Sequence, residues 1–449
     1  MAHAFRPYDL EQLQLLPQRL RDWLPEGHLA EVLYDVVSLL DLSPILRSYG
    51  QGRGPRGYHP QMLLTVLLYG YATGVYSSRK IAARCEDTVA FRVLSAEQFP
   101  DFRTIADFRK RHLAAFPARF DQVVAVARET GLLTLGHLSL DGSKYRANAS
   151  KHKAMSYGRI DAVEPGLRQE IRRLLAESER QDAAEDEEYG VTQRGDDVPT
   201  ELRRRETRLE KMVAAKQRLE ERARQREAAA LEKRATPQDP AARAAQIATA
   251  TPKPKEQSNF TDPDSRIMKT KDGWIQGYNA QVLVDADSGI IVAQAVSAQA
   301  ADSPHLVPLL DQMAVTLAAG GLPPWQARPG VFTADAGYCS EANLAALDAR
   351  QVESYVATGR ERHHRQGMTG GWSRSPLRNR MRQKLQTAEG RAIYARRKCI
   401  TEPVHGQIKQ ARGFRQFLLR GLPQVQGEFT VVALAHNLLK LWRATLVPA

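Results

Sequence analysis

Three acidic residues stand where a metal-dependent phosphoryl-transfer centre could be built. Asp141 follows the apolar run LSL, Asp335 follows VFTA, and Glu402 lies in ARRKCITEPVHGQIK. A carboxylate at the end of an apolar strand is costly unless something neutralises it. A divalent cation would do so, and Mg²⁺ takes a few carboxylates plus waters and phosphate oxygens. Two such ions, roughly 4 Å apart, activate the attacking oxygen and stabilise the leaving one in an in-line displacement. Each acid alone has a plainer explanation. Asp141-Gly142 and Asp335-Ala-Gly337 read equally well as turns, and Glu402 as the partner of a neighbouring Arg.

Around the acids lie bases and rings that suit a phosphate backbone. Lys409 follows Glu402 by seven residues, two helical turns, so both are expected to point the same way. Lys144 and Arg146 alternate along the strand after Asp141, as substrate contacts or as lone salt bridges. Tyr394 could meet DNA or fill the core. Trp274 and Tyr278, among Lys269, Lys271 and Gln276, could stack on an unpaired base, with sheet packing as the alternative. His305 and His436 read as structural, and Asp302 as an N-cap.

Charge sharpens the picture. The chain has 449 residues and a net charge of +13. Sixteen Lys or Arg against three acids fall between Gly359 and Arg420, and the remainder is balanced. An excess confined to one segment suits a nucleic-acid contact surface. Cys85, Cys339 and Cys399 show no CxxC spacing, so neither a disulfide framework nor a zinc cluster is expected. Cys339 and Cys399 read as buried small fillers. No apolar run reaches about 18 residues, and no secretory signal core opens the sequence. A soluble, cytoplasmic chain with no membrane partner is expected.

The elements that must position these residues change character along the chain. Residues 1–132 carry helix-period apolar spacing, in HLAEVLYDVVSLLDLSPIL, PQMLLTVLLYGYATGV and SSRKIAARCEDTVAFRVLS. The last reads as a helix capped by Ser77 or Ser78, a turn at Glu86-Asp87 and a second helix: a DNA-reading pair or part of a plain bundle. One long helix is expected from Thr104 to Gly131. From HLSLDGSKYRA the period becomes two. Residues 148–266 interrupt the strands with charged helices, whose seam of Leu202, Leu209, Met212 and Leu219 predicts an antiparallel hairpin. ATPQDPAARAAQIATATPKPKEQ reads as a flexible linker. Strands return at GYNAQVLVDADSG, IIVAQAVSAQA, PGVFTADAGYCS and ESYVATGR, with helices between. Glu402 is expected at or just before a helix start, because Pro403 suits a first turn. The sum is an α/β fold, a mixed sheet with covering helices, after an all-α N-terminal region.

The chain resembles a bacterial insertion-sequence transposase with a ribonuclease-H-like DDE catalytic domain. The resemblance rests on LSLDGSKYRANAS, SRIMKTKDGWIQGYNAQVLVD, TADAGYCS and the last acid's surroundings, and extends to DFRTIADFRKRHL in the helical region. Family members place Tyr, Arg or Lys, Glu and Lys on one helical surface; here these are Tyr394, Arg397 or Lys398, Glu402 and Lys409. The spacing from the Tyr fits Arg397 and the spacing to the Glu fits Lys398.

The resemblance implies that Asp141, Asp335 and Glu402 hold two Mg²⁺ ions, Mn²⁺ being an alternative. It implies an N-terminal DNA-binding domain over 1–132 and a catalytic domain over 133–449, with 148–266 as an insertion. Lys144, Arg146, Tyr394, Arg397, Lys398 and Lys409 would touch DNA. The partners would be double-stranded insertion-sequence ends and target DNA. Joining two ends implies a homodimer or larger assembly on DNA, with the hairpin a candidate interface. Two other readings stay open: an inactive transposase-derived DNA-binding protein, and a nuclease of the same fold without strand transfer.

Overall fold

The computed structural model describes residues 19–49, 57–189, 200–232, 239–323, 327–359 and 375–446. The first region forms helices α1 (Leu29–Leu39), α2 (Ser43–Leu46), α3 (Pro60–Ala72), α4 (Ser78–Asp87), α5 (Val89–Leu94), α6 (Phe102–Arg111) and α7 (Phe116–Glu129). α4 and α5 are the expected pair, but Ser77 makes no side-chain cap. The expected single helix to Gly131 is broken into α6 and α7. Pro117 lies in the first turn of α7, where a missing N–H is tolerated, and it could not continue a helix from before.

Next comes β1 (His137–Arg146), then β2 (Ala154–Ser156), α8 (Tyr157–Tyr189), α9 (Thr200–Glu232), α10 (Pro240–Ala248) and β3 (Gln257–Asn259). α8 and α9 form an antiparallel hairpin. Ile160, Leu167 and Ile171 pack on Met212, Ala215 and Leu219, and Lys216 pairs with Asp161 at 2.5 Å while Arg205 pairs with Glu170 at 3.1 Å. The side chain of Leu202 lies outside the described residues. α10 occupies part of the expected linker: Pro240 starts it, Asp239 caps it, and its alanines favour helix.

The sheet is completed by β4 (Arg266–Thr270), β5 (Gly273–Asp285), β6 (Ile291–Ser297), β7 (Val331–Ala334) and β8 (Glu353–Val356), with α11 (Leu306–Ala319) before β7 and α12 (Glu341–Ala349) after it. The sheet is mixed. Its order is β4-β5-β1-β7-β8, with β6 also on β5. β1 pairs antiparallel with β5 and parallel with β7, which makes it the hinge between two halves. β4 was not foreseen, because RIMKT is short and polar.

The chain closes with α13 (Pro376–Gln386), α14 (Ala388–Ala395), α15 (Arg397–Gly406), a π-helical stretch Gln407–Ala411, and α16 (Leu422–Thr445). From Phe429 to Leu438 every residue of α16 is buried; the polar Thr430, His436 and Asn437 within the run are each hydrogen-bonded to β6 or the turn before it. It packs on α3 and α7 on one side and on β6 on the other. One hydrophobic core therefore runs from Leu29 to Leu441 through helices and sheet alike. Among the described residues no helix is long and apolar enough to cross a membrane.

Candidate functional site

Parallel pairing of β1 with β7 brings two of the acids together. Leu140 lies opposite Ala334, and the residue that follows each of them is an acid. Asp335 follows β7 and accepts from Gly337 N at 2.8 Å, capping a short 3-10 turn. Asp141 lies neither at a strand end nor in a turn: β1 continues to Arg146, because its antiparallel pairing with β5 outlasts its pairing with β7. Asp141 Oδ1 accepts from Gly142 N at 2.8 Å, and Oδ2 from Thr401 Oγ1 at 3.2 Å and Arg397 at 3.4 Å. Burial pushes the Asp141 carboxyl up to about 6, with Arg397 opposing the rise and Asp335 adding to it. Burial also raises Asp335.

α15 lays one face along β1. Arg397 and Thr401 meet Asp141, and four residues on, His405 Nδ1 meets the Tyr145 hydroxyl at 3.1 Å. This is the i, i+4 register of a helix. Glu402 is off that face; it is exposed, with no ion pair or hydrogen bond among the described residues. Nor does it stand at a helix start. Pro403 sits inside α15, with Glu402 before it. Lys409 does not share its direction: its Nζ is bonded to Ser143 Oγ and lies 2.8 Å from Lys144 O, over the Tyr145 ring at 4.2 Å. The π-helical stretch beginning at Gln407 has a wider turn, which breaks the 3.6-residue period between the two. Burial, reinforced by Lys144, lowers Lys409 to about 8.

The other expected residues fall in different places. Lys144 pairs with Asp302 at 3.2 Å. Arg146 is exposed, and Lys398 is exposed on α15. Tyr394 is half-buried, its ring 5.8 Å from the Arg397 guanidinium. Tyr278 cannot stack on a base: it is fully buried and donates to Asp262 at 2.8 Å. Trp274, 58% exposed on the β4–β5 hairpin, borders a concave surface with Arg146, Lys151 and His152. His436 is buried and meets Gly289 O at 2.9 Å. Cys339 is buried, whereas Cys399 is exposed, contrary to its reading as a filler. Of the basic segment, residues 360–374 lie outside the described residues, as do 50–56 of the Gly/Pro loop.

Asp302 stands at the N-cap position read from the sequence, but its side chain serves elsewhere. It precedes a 3-10 turn but makes no capping bond; its Oδ1 accepts from Lys144, Asn279 and Gln281. Asn279 and Gln281 sit two apart on β5, fully buried, within an apolar run. Two polar side chains on one face of a buried strand need a polar partner, and that signal was present in YNAQVLVD. Thr401 carries no comparable signal; only the register of α15 against β1 reveals it.

Among the described residues, no three His, Cys, Asp or Glu side chains form a ready-made metal cage. The donor chemistry nonetheless suits Mg²⁺, which uses one or two carboxylates and fills the rest of its shell with waters and phosphate oxygens. Asp141 and Asp335 are such a pair: both half-buried, each following one of two paired residues, and both raised by desolvation.

Comparison with known families bears on both halves of the chain. Residues 246–438 match the family model described as Transposase DDE domain, a span that includes Asp335 and Glu402 but not Asp141. Residues 18–111 match the one described as Transposase domain (DUF772). No curated protein and no solved structure matches the chain.

Proposed function

The chain belongs to the DDE transposases of insertion sequences, and from that membership we propose that it binds the ends of its element, cleaves a DNA strand there and joins the freed end to target DNA. The observation that carries this reading is the placement of Asp141 and Asp335 directly after the parallel pair Leu140 and Ala334, where desolvation raises both carboxyls. In this reading the mixed sheet is the ribonuclease-H-like core, residues 133–449 are the catalytic domain with 148–266 inserted, and 1–132 bind DNA. The metal-holding residues are Asp141 and Asp335, with Glu402 as the third acid. Mg²⁺, or Mn²⁺, when bound supplies charge to the attacking and leaving oxygens of phosphoryl transfer.

The chain's own residues position the substrate. In the first step a water oxygen attacks the phosphorus, the bond to the 3′ oxygen breaks, and that oxygen leaves as a 3′-hydroxyl. In the second this hydroxyl attacks a target phosphodiester and expels its 3′ oxygen. Arg397 stands beside Asp141 at 3.4 Å and can meet either the carboxylate or a phosphate oxygen. Lys144 lies next on β1, and Lys409 reaches that strand from the π-helical stretch, bonded to Lys144 O; both can grip the neighbouring phosphate. Arg146, Lys398 and Tyr394 extend the contact outward. Two ends require at least two copies on DNA, and a cytoplasmic bacterial setting is part of the same proposal.

The test is cleavage of a labelled duplex carrying the element's own end, in Mg²⁺ or EDTA. Metal-dependent nicking by the wild type is expected, with a loss of at least 100-fold in Asp141→Asn, Asp335→Asn and Glu402→Gln while DNA binding persists. Strand-transfer products separate this enzyme from a simple nuclease. A wild type that binds verified end DNA and never cuts it is a DNA-binding relic, and the proposal fails.

A further inference from the structure

Asp302 is fixed in place more firmly than a surface turn requires. Its Oδ1 accepts from Asn279 Nδ2 at 2.7 Å, Gln281 Nε2 at 2.8 Å and Lys144 Nζ at 3.2 Å. Gln281 is in turn bonded to the Tyr338 hydroxyl. Asn343 Nδ2 ties the two turns together, donating to Ser303 O and Tyr338 O, both at 2.8 Å. Asp302 therefore belongs to the same rigid body as the turn after Asp335. Its second oxygen, Oδ2, accepts no hydrogen bond among the described residues.

Two glycines allow the approach. A Cβ on Gly337 would stand 2.9 Å from Asp335 Oδ1 and 3.1 Å from Asp302 Oδ2, so both carboxylates converge over that residue. A Cβ on Gly142, the neighbour of Asp141, would stand 2.8 Å from Asp302 Oδ1 and collide with the Gln281 amide. Like charges drawn this close need a cation, and Lys144 sits on the far oxygen.

A separate observation points to a ligand. Asn279 is fully buried, its nitrogen is committed to Asp302, and its Oδ1 has no hydrogen-bond partner. A buried amide oxygen is rarely left without a donor. The waters that Mg²⁺ retains are donors of the required kind.

We propose that Asp302 is a further carboxylate of this centre, holding a divalent cation through Oδ2 together with Asp335 and Asp141, with Asn279 facing the cation's hydration shell. The inference rests on the reading of Asp141 and Asp335 as the metal-holding pair. Three donors on Oδ1 then orient the carboxylate, the role that outer partners play at metal sites. Arg397 and Thr401 must release Asp141 Oδ2 for the three to converge.

The test is Mn²⁺ binding to the full chain without DNA, read by electron paramagnetic resonance and calorimetry. Asp302→Asn is expected to weaken Mn²⁺ binding at least tenfold, as Asp335→Asn does, with little change in metal-free melting temperature. Gly337→Ala keeps the Oδ1 anchor but puts a methyl between the two carboxylates, and is expected to weaken binding similarly, so the proposal survives an Asp302→Asn chain that fails to fold. Wild-type affinity in both Asp302→Asn and Gly337→Ala, with loss in Asp335→Asn, overturns the role of Asp302 and leaves the pair standing. Undiminished binding in Asp335→Asn, or no binding by the wild type, overturns the pair and this proposal with it.

Discussion

At the scale of single residues the site is governed by burial of negative charge. Asp141 is held at about 6 against an ordinary 3.8, chiefly by burial. The folded chain thus binds this proton more tightly than the unfolded one. The associated stabilisation is complete below pH 4 and is lost as pH rises through 6. Asp141→Asn removes the ionisable group and is expected to gain on the order of 1 to 3 kcal/mol over wild type at pH 7. The gain closes towards pH 4. Urea denaturation in EDTA at pH 4, 5, 6 and 7 measures it, and parallel curves for the two proteins would refute the assignment. The sequence marked Asp141 and Asp335 because each ends an apolar run. It misread the side chain of Asp302 because a residue before Ser-Pro looks like a cap, and only the pairing of β1 with β5 shows where Asn279 and Gln281 send it.

At the scale of elements, what the sequence revealed depended on whether periodicity or register decides the outcome. Strands β1, β5, β6, β7 and β8 were readable from alternation and bounding turns. The hairpin was readable from its apolar seam. The relation of α15 to the sheet was not, because it turns on a proline within the helix and a π-helical stretch after it. Local periodicity says that Glu402 and Lys409 share a face, and the wider turn separates them. That displacement buries Lys409 against β1 and lowers its ammonium to about 8. The charge proposed to grip phosphate is accordingly lost as pH passes from 7 to 9. DNA affinity of the wild type is expected to fall about three- to tenfold across that range at constant salt, beyond any fall in Lys409→Arg, whose guanidinium stays charged. Fluorescence anisotropy on an end duplex decides it. An equal fall in both proteins places the titrating group elsewhere.

At the scale of the whole molecule the helical region and the sheet share one core, with α16 as the common wall. Composition suggested a boundary near residue 132, since the period changes from helical to extended there, and periodicity carries no information about which surfaces later meet. The shared wall is also polar at one buried point. Glu428 on α16 is fully buried; its Oε1 accepts from the Tyr71 hydroxyl of α3 at 3.2 Å, and its Oε2 from Leu418 N and Leu419 N at 2.9 and 3.0 Å. Arg109 of α6 donates to the same Tyr71 hydroxyl at 3.0 Å and supplies the countercharge. Removing one partner of a buried charge pair costs about 3 to 5 kcal/mol, because the other charge is stranded. Arg109→Met is therefore expected to lower stability by an amount of that order, read as a fall in the urea midpoint. Cutting the chain before His137 goes further: it strips α3 and α7 from α16 and exposes the buried run from Phe429 to Leu438. Such a chain is expected to aggregate, or to keep helical circular dichroism without a cooperative melt. Recovery of a soluble 137–449 fragment with a sharp transition would show that the sheet holds its own core, and that the helices of residues 29–129 are an addition to it.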